Sequence, residues 1–168
     1  MNTNAIAVAN YFVDLAVKEK IEIKQFGLMK RVYVTHGFSL ALLDYPALDS
    51  QFDVVEAWKN GPVIPSVYHS FKHNRNNPIT EKSFTVEVGD GKFDFITPEL
   101  EDSEIQQIAQ AVWKRYSGMD DFELIKLLHK EGTPWSLCYE EGKNNKIPDL
   151  YTKAYYKKLV EYESGRHS

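Results

Sequence analysis

The sequence predicts a mainly α-helical domain with a small antiparallel β element, an α+β class. Apolar residues recur at three- and four-residue spacing through most of the 168-residue chain, the period of helices with one buried face. One pair of alternating segments flanks Gly89-Asp90-Gly91, where Asp-Gly readily supplies the left-handed angles of a hairpin turn. Between helical segments, the run from Glu56 to Tyr68 holds Trp58, Gly61, Pro62, Pro65 and Tyr68. Gly61 tolerates angles closed to other residues, Pro62 biases it away from the helical region, and Pro65 suits a helix's first turn. That run therefore turns sharply and enters a short helix in a fixed geometry.

Each element follows in order. Thr3 or Asn4 caps a first helix carrying Ile6, Ala9, Val13 and Val17. Ile21-Glu22-Ile23 is a connector. A second helix places Met29, Val32, Tyr33, His36, Leu40 and Leu43 on one stripe and ends at Tyr45-Pro46. Phe52, Val54, Glu56 and Trp58 alternate as in a short strand, with a helix the alternative. Ile64, Val67, Tyr68 and Phe71 share a face of the helix after Pro65, and residues 73–77 form a polar loop.

Residues 84–88 and 92–96 form the hairpin. Thr97-Pro98 opens a helical region with Ile105, Ile108, Ala109, Val112 and Tyr116 on one side, closed by Gly118. Asp120 and Glu123 make a capping pair for a helix through Leu124, Leu127 and Leu128, stopped at Gly132. Thr133-Pro134-Trp135 reads as a cap, a first-turn proline and an aromatic anchor. Residues 142–147 form a polar loop, and Pro148 starts a last helix bearing Tyr151, Ala154, Tyr155, Leu159 and Tyr162. No repeat or linker divides the chain, so residues 1–168 are expected to form one domain.

Composition narrows the function. At 43% hydrophobic and 26% charged residues the chain has the balance of a globular protein, not a disordered one. The net charge of −4 argues against a general phosphate-binding role, and nucleic acid is not the expected partner. No apolar run is long enough to span a bilayer and no secretory signal is evident, so a cytoplasmic location is expected. Cys138 is the only cysteine, which rules out an intrachain disulfide. Aromatics make up 13% of residues, enough for either a dense core or a protein-binding surface.

No residue pattern assembles a reaction centre. His36 lies on the apolar stripe of the second helix and reads as a packed, hydrogen-bonded core residue. His69 and His73 are four apart but lack a metalloprotease's intervening Glu and an evident third ligand, so they read as surface residues. His129 closes a helix, where a cation offsets the dipole. Cys138, beside Leu137 and Tyr139, reads as a small buried hydrophobe rather than a nucleophile. No cofactor or metal is expected, and the chain is not expected to be an enzyme. Trp58, Trp113 and Trp135 read first as core residues. The last helix, with Tyr151, Tyr155, Tyr156 and Tyr162 among Lys153, Lys157 and Lys158, is either core-facing with a solvated lysine face or a sticky surface.

Several runs together resemble the Panacea domain, the SocA-like or GepA-type antitoxin domain of bacteria and phages. They are Ala9-Asn10-Tyr11-Phe12, Leu28 to Gly37 with Tyr33 and His36, and Glu56-Ala57-Trp58 with Gly61-Pro62-Val63-Ile64-Pro65 and Val67-Tyr68. The last are Leu128-His129-Lys130-Glu131-Gly132-Thr133-Pro134-Trp135 and a helix beginning near Ile147-Pro148. The resemblance is strongest over residues 8–156. Asn60, where the family favours an aromatic, and Val34-Thr35 depart from the pattern.

The resemblance implies an antitoxin that neutralises a cognate protein toxin, usually encoded in the adjacent gene, by direct binding. Some relatives act instead as adaptors that hand a toxin to a protease, and a homo-oligomer is compatible with either. A nucleic-acid-binding regulator and a metal-dependent hydrolase using His36, His69, His73 or His129 are the competing readings. Within the resemblance, Trp58, Val63, Ile64, Tyr68, Tyr151 and Tyr155 are the candidate toxin-binding residues. Tyr33, His36, Gly37, Glu56, Gly61, Pro62, Pro65, His129, Gly132, Pro134 and Trp135 are expected to hold the frame.

Overall fold

Helix α2 (Gln25–Leu43) is the axis of the fold, in a computed structural model that describes residues 3–166. It is buried on nearly every side, which explains a sequence apolar around most of its circumference rather than along one stripe. Around it pack α1 (Ala5–Glu19), α3 (Pro65–Phe71), α4 (Ser103–Arg115), α5 (Asp121–Leu128) and α7 (Asp149–Arg166). The short α6 (Pro134–Cys138) lies against α7.

The caps follow the sequence. The Asn4 side chain accepts from the Ala7 N–H at 2.8 Å, Asp120 accepts from Glu123 N–H at 2.8 Å, and Thr133 caps α6 ahead of Pro134. Each satisfies a first-turn donor that a helix cannot pair internally. The helix expected to open at Thr97-Pro98 starts later, at Ser103, because Asp102 is the residue whose carboxylate caps Glu104 and Ile105.

Two sheets form instead of one hairpin. The expected hairpin is β3 (Thr85–Gly89) paired with β4 (Lys92–Ile96) around Asp90 and Gly91, both at positive φ. Of the second sheet the alternating pattern predicts only the strand ending at Trp58, and not its partners. Strand β1 (Glu56–Trp58) pairs antiparallel with β2 (Gly61–Val63) and with β5 (Asn145–Lys146), giving the order β2-β1-β5. The alternating segment from Phe52 is thus a strand only from Glu56, and Phe52 sits exposed in a turn. β5 falls inside the expected polar loop, drawn into register by Ile147 N–H donating to the Val55 carbonyl at 2.8 Å. Pro62 is tolerated in β2 because that strand is an edge, where a missing donor breaks no ladder.

Two helical registers also differ from expectation. Val17 is exposed near the end of α1, beyond the reach of its neighbours. On α7 the buried residues are Thr152 and Tyr156, while Tyr151 and Tyr162 face outward. The reason is Gly37 on α2: a Cβ there would collide with the Tyr156 ring, so this glycine is the notch that receives it. Tyr156 then packs edge-on against Tyr33 and Phe38.

Candidate protein-binding surface

The frame of the surface is the β1–β2 hairpin and the side chains that fasten it. Gly61 adopts φ +111°, and Lys30, fully buried on α2, approaches so closely that a Cβ at Gly61 would lie 3.2 Å from its Nζ. That Nζ donates to the Pro62 carbonyl at 2.6 Å. Burial pushes the Lys30 pKa from 10.5 down to about 7. From the other side, Trp135 Nε1 donates to the Trp58 carbonyl at 2.6 Å. His129 places Nε2 3.0 Å from the Lys59 carbonyl and Nδ1 2.9 Å from the Ile125 carbonyl. A neutral imidazole donates from one nitrogen only, so both contacts are hydrogen bonds only when the ring is charged. The His129 ring also meets Trp135 edge-on at 4.2 Å, and Trp135 stacks on Tyr139 at 4.7 Å.

This arrangement gives a physical reason for most of the residues expected to hold the frame. Glu56 accepts from Trp58 Nε1 at 2.9 Å. Tyr33 bonds Thr152 across α2 and α7 at 3.2 Å, and His36 Nε2 lies 2.9 Å from Asp149 at the start of α7. Pro65 and Pro134 open α3 and α6, and Gly132, at φ +87°, makes the turn between α5 and α6.

The candidate binding residues divide. Trp58 and Tyr68 are half-buried, their rings edge-to-face at 5.3 Å, and each keeps a solvent-facing side. Tyr151 is exposed and Tyr155 half-buried on α7, whose start is held beside β1. Val63 and Ile64 are corrected: at 3% and 0% exposure they belong to the core and offer a partner nothing. Ile64 shares its stripe with Val67 and Phe71, which face the core, and Val63 lies in the fully buried strand β2. His69 and His73 are exposed, as expected, and Cys138 is half-buried with its thiol pKa raised by burial.

Asp53, Arg31 and Asn10 are further buried polar groups that tie elements together, and helical periodicity gives none of them a role. Asp53 Oδ2 accepts from the Ala5 and Asp49 N–H groups, both at 2.8 Å, and Oδ1 from the Ser66 hydroxyl at 2.7 Å, joining α1, α3 and the segment before β1. Arg31 donates to the carbonyls of Gly27, Tyr116 and Met119 and lies over Trp113. Asn10 holds both feet of the exposed hairpin: Nδ2 donates to the Ser83 and Pro98 carbonyls at 2.9 Å, and Oδ1 accepts from Ser83 N–H at 2.8 Å. The available signal was a Lys-Arg pair set between Met29 and Val32, and a lone Asn in an otherwise apolar helix. Among the described residues no group of three or more His, Cys, Asp or Glu side chains is placed to hold a metal ion, and no helix is long and apolar enough to cross a membrane.

The polar groups of this frame fasten a hairpin, and aromatic side chains are left at its rim. The family described as "Antitoxin SocA-like, Panacea domain" matches residues 28–136, and the chain belongs to that family. It is 30% identical to "Antitoxin SocA" of Caulobacter vibrioides (strain NA1000 / CB15N) over 136 residues, 81% of this chain and 70% of that protein. No solved structure matches it.

Proposed function

We propose that this protein is an antitoxin that neutralises a cognate protein toxin, encoded in the adjacent gene, by direct binding in the cytoplasm. The observation that carries this reading is membership of the SocA-like family, together with similarity to a named antitoxin over four-fifths of the chain. The arrangement of side chains supports it. Lys30, His129 and Trp135 all donate to, or face, backbone carbonyls of the β1–β2 hairpin, so their polarity goes into shape rather than chemistry. Trp58, Tyr68, Tyr151 and Tyr155 bring large aromatic area at small torsional cost, the composition of binding hot spots. Inhibition follows from occlusion of the toxin's active site or of the surface that takes its substrate.

Co-expression with the neighbouring gene is the test. Restored growth and a stable co-purifying complex are expected; toxicity that persists unchanged in the presence of folded protein overturns the proposal. Tyr68→Asp then probes the rim: weaker capture of the toxin with an unchanged melting temperature places Tyr68 in the interface, and intact capture removes it.

A further inference from the structure

The hairpin β3–β4 carries nearly all its large apolar side chains on one face. Cross-strand partners share a face, so Val86 stands with Phe95 and Val88 with Phe93. Phe84 falls on the same side, its ring 5.7 Å from Phe95. Thr85, Glu87, Lys92 and Asp94 occupy the other face, with Ile96 at its foot. The apolar face is uncovered: Phe84, Val86, Val88, Phe93 and Phe95 are 57%, 49%, 73%, 70% and 69% exposed. A two-stranded ribbon alone is marginal in water, and an exposed apolar patch of this size marks an interaction site. The arm is nonetheless fixed at its base, where buried Asn10 bonds both feet and Lys82 pairs with Asp14 and Glu99.

We propose that this face is a self-association surface whose occupant is the same face of a second copy, packed about a two-fold axis. Area is the first argument. With three Phe side chains of about 150–250 Å² each and two smaller Val, all about half or more exposed, the five residues offer on the order of 500 Å² per copy. Two faces together then bury about 1,000 Å², the lower bound of a specific interface, before any backbone is counted. Charge is the second. The apolar face holds no charge, so it has no preference for a partner of either sign and complements itself. On the reverse face Glu87 and Asp94 are direct cross-strand partners. Pairing two arms edge to edge would line up four such carboxylates, whereas packing face to face turns them all to water.

This inference is independent of the toxin. Sedimentation of the full chain from low to high micromolar concentration is expected to show a monomer–dimer equilibrium that persists in high salt, as an apolar contact should. Phe93→Glu is expected to weaken it at least about tenfold, and Asp94→Asn, on the reverse face, to leave it intact. Hydrogen exchange of residues 85–96 in the unmodified chain, which needs no variant to fold, is expected to slow as concentration rises. A monomer at every concentration with unchanged exchange overturns the proposal, as does a dimer indifferent to Phe93→Glu. So does a monomer whose capture of the toxin is lost in Phe93→Glu, which assigns the face to the toxin instead.

Discussion

The two hairpins of this protein have the same topology and opposite circumstances. Strands β1 and β2 are three residues each, and β2 is buried throughout; β3 and β4 are five residues each and exposed throughout. The first is held by side chains from other elements, with Lys30, His129 and Trp135 reaching its carbonyls. The second is held by its own ladder and a clamp at its feet. A hairpin can thus be a product of tertiary packing or a local structure that the fold merely carries. The buried one should transmit damage to the whole domain, the exposed one should not.

The largest expected effect is on the buried side. Trp135→Ala removes a half-buried ring, two aromatic contacts and the donor to Trp58, and should cost about 3 kcal/mol in denaturant unfolding. A loss no greater than that of an exposed substitution would erase the distinction between the hairpins. Asn10→Ala should cost about 2 kcal/mol, since it strands the Ser83 and Pro98 carbonyls and the Ser83 N–H. Its hydrogen exchange should quicken across residues 83–98 while β1 and β2 stay protected.

Lys30 sharpens the comparison through pH. Its pKa falls from 10.5 in the unfolded chain to about 7 in the folded one, so between those values the unfolded state holds a proton the native state lacks. Stability from this group is therefore lost as pH falls toward 7 and gained as pH rises. From pH 7.5 to 9, unfolding should become harder by about 1–2 kcal/mol, and Lys30→Met should abolish that slope. The smallest effect belongs to the exposed arm: Phe95→Ser should alter monomer stability by less than about 0.5 kcal/mol, measured below any self-association.

Much of the helical frame was legible because periodicity and caps are local. Asn4, Asp120 and Thr133 marked helix starts within a residue, and Asp90-Gly91 announced β3–β4. Of the β1–β2–β5 sheet only β1 was legible, from the alternation ending at Trp58; β2 and β5, of three and two residues and with a proline in β2, have no period to detect. The register of α7 was missed for a related reason. Tyrosines at 151, 155, 156 and 162 satisfy more than one helical stripe, and only the notch at Gly37 selects Tyr156. At the surface, Trp58 and Tyr68 keep a solvent-facing side, whereas Val63 in β2 and Ile64 at the cap of α3 lie inward, because burial is decided by what packs across them.

Because Asn10 gathers Ser83 and Pro98 at a single point, the fourteen or so residues between them enter and leave the body through one gate. Whatever lies beyond that gate can be shortened, extended or rewritten while the helices behind it keep their arrangement. The arm is, in mechanical terms, an exchangeable cartridge, and its contact chemistry is free to change on a different schedule from the core that carries it.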